Sequence, residues 1–237
     1  MIKKIIILTI IFGAIILIKD VSAKTSPPPS FIYLTWESDS MVPVAYNGKS
    51  LLVRDSVLKL TVHPFFYSGG AYLNSKNLNY RWSVNDEVKK DGQGVTTFRY
   101  LIPSVLEETT QVVKVEVFNG SVPVAEKTAI IPVIDPKVVL VPAANSFLVR
   151  GGVLETSASN GLQIKANPYF FSPTEASQLK VSWWLNNEKK KSDSGDKYAF
   201  TISNPQQSLN EIIALIERLD NVFVRGKGQL QINFNSL

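Results

Sequence analysis

Cysteine is absent from this chain, and histidine occurs once, at His63. Without thiols there is no disulfide, no thiolate nucleophile, no iron–sulfur cluster and no cysteine-ligated zinc. With one imidazole there is no histidine-rich metal site and at most one conventional histidine base. A dominant charge is lacking too: 25 Lys and Arg stand against 20 Asp and Glu, a net of +5 without a clustered basic face, which argues against a nucleic-acid partner. No Gly-x-Ser-x-Gly elbow, phosphate loop or dinucleotide fingerprint occurs. What is present is a 45% apolar share in 237 residues, enough for packed cores in one or two domains.

The long hydrophobic run is Ile5 to Ile18, 14 residues broken only by Thr9 and Gly13, behind Lys3 and Lys4. A membrane-spanning helix needs roughly 17–25 apolar residues. With small Ala23 at the end of Val21-Ser-Ala23, residues 1–23 read as a cleaved secretory signal peptide, the alternative being an uncleaved N-terminal anchor. Both readings place the remainder outside the cytoplasm, whether secreted, periplasmic or on the cell surface. Removing residues 1–23 takes three lysines and one aspartate, leaving a net charge of +3. Residues 24–30, with three consecutive prolines, form an extended spacer.

Self-comparison shows an internal repeat. Leu58-Lys-Leu-Thr-Val-His-Pro-Phe-Phe-Tyr-Ser68 returns as Leu162-Gln-Ile-Lys-Ala-Asn-Pro-Tyr-Phe-Phe-Ser172, and Trp82-Ser-Val-Asn-Asp-Glu87 as Trp183-Trp-Leu-Asn-Asn-Glu188. Ser50–Arg54 returns as Ser146–Arg150, Glu116 as Glu217, and Ala129, Ile131 and Val133 as Leu230, Ile232 and Phe234. The copies run over 31–135 and 137–237, joined at Asp135-Pro136-Lys137. Each alternates apolar and polar residues with period two, as in Val57–Val62, Val113–Val117 and Gly228–Phe234. That pattern predicts half-buried antiparallel strands. Residues 208–219 are ambiguous: Ser208-Leu-Asn-Glu211 resembles a capping box before a helical apolar face. The repeat aligns Glu211–Leu219 with strand-like Gln111–Phe118, which favours strand. The expected fold is all-β, two tandem antiparallel sandwiches.

Tyr80-Arg-Trp-Ser-Val-Asn-Asp-Glu and Val181-Ser-Trp-Trp-Leu-Asn-Asn-Glu resemble the central strand and following hairpin of bacterial extracytoplasmic immunoglobulin-like and PKD-like domains, where a core Trp precedes an Asn-containing turn. Trp36–Pro43 with Tyr46-Asn-Gly-Lys49 is similar to the opening of exported tandem immunoglobulin-like proteins of Patescibacteria-type bacteria. The chain departs from these families in having no Cys pair and no acidic Gly-Asp-Gly cluster. The resemblance implies an extracytoplasmic scaffold or binding module and brings no catalytic residues with it.

Trp82 and Trp183 occupy matched positions and are expected to fill the two cores. Trp184 aligns with Ser83, so alternation aims it at the opposite face, as a partner or glycan contact or under a covering loop. Trp36 has no counterpart and either caps the first core or faces outward. His63 is replaced by Asn167 in the second copy, and no second His or Cys completes a site. The carboxylates Asp86, Glu87, Asp91, Asp193 and Asp196 lie in predicted hairpins beside Lys89, Lys90 and Lys189–Lys191, the composition of solvated turns rather than of a calcium loop. The expectation is a non-enzymatic exported envelope or surface module with no catalytic, metal or cofactor site. Its partner would be a protein or glycan, with no nucleic acid, and it would meet membrane only through an uncleaved N-terminus. The alternatives are a glycan-binding module, an accessory domain of an extracellular enzyme system, and a fibre subunit built by strand donation.

Overall fold

The computed structural model describes residues 30–105, 109–143, 149–150, 152–156, 161–173, 176–192, 195–203 and 208–234. The signal and most of the spacer, along with Ser146–Leu148 of the repeat, lie outside them.

The first half of the chain forms β1 (Phe31–Ser38), β2 (Val57–Phe65), β3 (Tyr67–Ser68), β4 (Ala71–Tyr72), β5 (Asn79–Val84), β6 (Glu87–Gln93), β7 (Thr97–Leu101), β8 (Thr110–Asn119) and β9 (Val122–Pro132). The second forms β10 (Lys137–Pro142), β11 (Val149–Arg150), β12 (Val153–Thr156), β13 (Leu162–Tyr169), β14 (Leu179–Leu185), β15 (Glu188–Lys190), β16 (Ala199–Ile202), β17 (Leu209–Arg218) and β18 (Arg225–Phe234). The helical turns among the described residues are two three-residue 3-10 segments. Contacts divide the chain into a small unit that includes Ser30 and Phe65–Leu73, and a large one of Phe31–Pro64 with Asn74–Leu237. In the small unit β3 and β4 form a hairpin around Gly69-Gly70, with Tyr67 and Tyr72 edge to face.

The large unit carries the same pair of sheets twice. Order β1-β2-β7 faces β6-β5-β8-β9, and β10-β13-β16 faces β11-β12-β18-β17-β14-β15. This is the strand order of an immunoglobulin-like sandwich. The parallel neighbour of the last strand is β12 in copy 2, and a single bridge, Leu52 to Val133, in copy 1. Residues 208–219 are strand over Leu209–Arg218, and their apolar residues alternate sides, with Ile212, Ala214 and Ile216 fully buried.

Register corrects one detail of the alignment. Trp82 lies opposite Val115 and Trp183 opposite Ala214. Gln111 pairs with Ile131 as Asn210 pairs with Ile232. The counterpart of Glu116 is therefore Leu215, not Glu217, and Gln111 corresponds to Asn210. The connection after β17, Leu219–Val224, is longer than Gly120-Ser121 after β8, and it absorbs the slip of two residues.

Local chemistry explains the repeated turns that begin with Asn. Asn85-Asp86 and Asn186-Asn187 are two-residue hairpin loops with φ of 49° and 65°, and of 50° and 66°. Left-handed backbone at both positions makes a type I′ turn, which Asn and Asp tolerate best among non-glycine residues. Each first Asn also exchanges hydrogen bonds with the next strand: Asn85 with Val112, and Asn186 with Glu211. Where β10 crosses β18 there is no room for a side chain. A Cβ on Gly228 would lie 2.7 Å from the Val138 carbonyl oxygen. At the far edge of the first copy, β9 has one strand neighbour among the described residues, β8, and carries Pro123 beside a bulge and Pro132 at its end.

Candidate functional site

Each core is built around a tryptophan stacked on a phenylalanine. Trp82 lies 5.7 Å from Phe98 at 28°, and Trp183 lies 5.5 Å from Phe200 at 26°. Both indoles are buried, and their Nε1 atoms donate to backbone carbonyls, Trp82 to Val95 at 2.9 Å and Trp183 to Lys197 at 3.1 Å. A buried indole N–H needs such a partner. These two residues hold the sandwiches together and face no solvent.

Sequence reasoning missed the joint between the copies. Arg218, the last residue of β17, donates through Nη1 to Asp55 Oδ2 at 3.2 Å and to Ser172 Oγ at 2.6 Å. Through Nε and Nη2 it grips Asp220 at 2.8 and 2.5 Å. Asp55 also accepts from Asn221 Nδ2 at 2.5 Å and from the Ser104 hydroxyl. The Arg218 and Asp55 side chains are only 11% and 18% exposed. The hydrogen bonds from Arg218 hold the Asp220 carboxyl below its usual range, and Asp220 in turn raises Arg218. Alongside, Met41 exchanges backbone hydrogen bonds with Phe171 and Phe170 at 2.7 and 2.6 Å, and Tyr46 packs edge-on against Tyr169 and Phe170. A depression of about 500 Å³ opens at the joint between Arg54, which pairs with Asp135 at 2.8 Å, and the exposed Val105, Val222 and Phe223. The one trace in the sequence is that Arg218 takes the repeat position of Asn119.

Trp184 lies on the outer face of the six-stranded sheet and is half-buried. It sits in register with Lys189 of β15 on one side and Ile213 of β17 on the other, and Leu215 lies beside Lys227 of β18. Trp184, Asn187, Ile213, Leu215 and Lys227 line a shallow depression of about 330 Å³. Among the described residues the face has no row of aromatics; the aliphatic Ile213 and Leu215 extend it. Lys189 Nζ stands 5.9 Å from the Trp184 ring centroid.

Trp36, on β1, is half-buried under Lys49, whose Nζ lies 3.2 Å from its ring centroid. Burial draws the Lys49 ammonium below its ordinary value. His63 is exposed on β2. Glu87 and Glu188 pair with Lys89 and Lys190, each at 2.6 Å. Asp196 accepts from the Tyr198 backbone, and Asp193 lies outside the described residues. Among the described residues no three acidic or histidine side chains gather as a metal site.

No family model and no curated protein matches the chain. Three similar solved structures are tandem-domain proteins. The three N-terminal domains of the highly immunogenic outer capsid protein Hoc of bacteriophage RB49 share 11% identity over 86% of this chain, with a TM-score of 0.42. This chain spans 59% of that one. The fibronectin(III)-like modules of CbhA from Clostridium thermocellum share 12% identity over 85% of this chain and 95% of theirs, with a TM-score of 0.29. Chicken CNTN1 domains FN1–FN3 share 16% identity over 82% and 66%, with a TM-score of 0.27. At such scores the likenesses carry no functional argument, and the fold assignment rests on sheet order and register. The class so defined is a tandem immunoglobulin-like sandwich protein.

Proposed function

We propose that this chain is an exported, non-enzymatic interaction module of the cell envelope or surface. In this reading residues 1–23 direct export, residues 24–30 hold the fold away from its point of attachment, and the two sandwiches act as one stiff arm presenting their outer faces to a protein or glycan. The observation that carries the reading is the joint. Arg218, Asp55, Asn221 and the Met41–Phe171 bridge tie the copies through hydrogen bonds, where a flexible tether would leave them independent. The resemblance to exported bacterial tandem-domain proteins supports the extracytoplasmic placement. Glu87 and Glu188 are engaged by Lys89 and Lys190, and Asp196 by the Tyr198 backbone, an arrangement that favours solvated turns over a catalytic pair.

The test is to express the full chain in a bacterial host, fractionate the cells, and take the intact mass of the recovered protein. Chain found outside the cytoplasm, beginning at Lys24 or retaining Met1 in the membrane, and inert on polysaccharide and peptide substrates supports the proposal. Cytoplasmic retention, or turnover of either substrate class, overturns it.

A further inference from the structure

The duplicated fold supplies its own control for the outer sheet faces, because register matches them position by position. In copy 1 the centre of that face is Ser83, Lys114 and Glu116, with Lys114 and Glu116 3.5 Å apart as an ion pair. In copy 2 the same three positions are Trp184, Ile213 and Leu215. The flanks change as well: Val88 of copy 1 corresponds to Lys189, and Glu126 to Lys227. One backbone therefore carries a charged, self-neutralised surface in copy 1. In copy 2 it carries an apolar centre between two cations. Folding does not demand that centre, since copy 1 builds the same sheet without it.

We propose that the Trp184 face binds an anionic polysaccharide, a polymer of sugar rings bearing carboxylates. The half-buried indole offers a flat ring whose face carries partial negative charge and takes the polarised C–H groups of a sugar. Ile213 and Leu215 continue the apolar floor. Lys189 and Lys227 lie on the outer two of four adjacent strands, about 14 Å apart across the sheet, and neither has an ion-pair partner among the described residues. A polymer crossing the strands thus meets a cation, a stacking ring, an aliphatic floor and a second cation. At 5.9 Å, Lys189 is at the outer limit of a cation–π contact, free to swing to a carboxylate. A single strand of nucleic acid brings a charge about every 3.4 Å, far denser than two cations neutralise. A protein partner needs about 800 Å² per side, beyond what three apolar side chains provide.

The inference rests on the module reading only for where the face is displayed. An exported, inert chain that fails to bind keeps that reading and loses this one; a chain that binds but stays in the cytoplasm does the reverse. The full chain is titrated by calorimetry with polygalacturonate, alginate and hyaluronate, with fully methyl-esterified polygalacturonate as the uncharged control and oligothymidylate as the nucleic acid. At least one of the three anionic polymers is expected to bind, more weakly as salt rises, and to be lost on esterification. Trp184→Ser, the residue copy 1 carries, is expected to weaken binding at least about tenfold, the scale of one stacking contact. Lys189→Gln and Lys227→Gln are each expected to weaken it about threefold, the scale of a surface ion pair. The lysine variants keep the question open to test should the Trp184 variant unfold. Equal binding of the esterified polymer, tighter binding of oligothymidylate, indifference to all three substitutions, or no binding of any anionic polymer overturns the proposal.

Discussion

Asp55→Asn is the sharpest probe of the joint. Asp55 sits at φ 61°, a backbone that Asn tolerates and Ala does not, so the substitution keeps size and conformation and removes the charge. At 3.2 Å a unit charge pair at an effective dielectric constant of about 20 attracts by about 5 kcal/mol. Arg218 retains Asp220 and Ser172, and neither end of the bridge is fully dry, so the net loss approaches that of a charged hydrogen bond, about 1.5–3 kcal/mol. The new amide can turn its NH2 to the Ser104 hydroxyl, which accepts, and keep its oxygen toward Asn221 and Arg218. Urea unfolding followed by tryptophan fluorescence reads the loss, and small-angle scattering reads the joint. The expected result is a lower midpoint, with the two halves unfolding less cooperatively, and a broader distribution of inter-copy distances. A stability change below about 0.5 kcal/mol, the range of an inconsequential surface substitution, together with an unchanged scattering profile, would refute the reasoning.

Trp183→Ala removes the indole stacked on Phe200 and is expected to cost about 3–5 kcal/mol, so that the second sandwich unfolds first in a urea titration; a single unshifted transition contradicts this. Gly228→Ala drives a Cβ to 2.7 Å from the Val138 carbonyl oxygen and is expected to cost about 1–3 kcal/mol by displacing β10, seen as a lowered melting temperature. Burial pushes the Tyr80 phenol up to about 12, against about 10 in the unfolded chain. The folded state then holds that proton more tightly, so its contribution is whole below pH 10 and is lost between about pH 10 and 12. Tyr80→Phe removes that part of the alkaline slope and costs about 1 kcal/mol at neutral pH through the lost bond to the Ser75 carbonyl. A slope identical in the variant rules the assignment out.

Period-two alternation made the strands legible because each sheet has one wet face, and the repeat resolved residues 208–219 where local pattern alone pointed to a helix. Asn85-Asp86 and Asn186-Asn187 were readable as turns, since left-handed backbone at two successive positions leaves few residue choices. What escaped reading was long-range. Arg218 and Asp55 are 163 residues apart, and nothing periodic marks either one. The slip of two residues in β17 was hidden because Glu116 and Glu217 match by chance at the offset of their neighbours. The outer faces became comparable only once that slip was corrected, for it exchanges Glu217 for Leu215 opposite Lys227. Trp184 and the Lys189–Lys191 run had been visible; that Lys189 lies in register with Trp184, and that Lys227 closes the other side, had not.

The open edge of β9 bears on how the molecule behaves in a crowd. Pro123 and Pro132 cannot donate to an incoming strand, Lys127 adds charge between them, and the bulge at Val117 and Phe118 bends the ladder near one end. These features disfavour strand-to-strand pairing of one molecule with another through this edge. If the molecule is displayed and binds a polymer as proposed, avidity would grow with surface density without strand pairing through this edge.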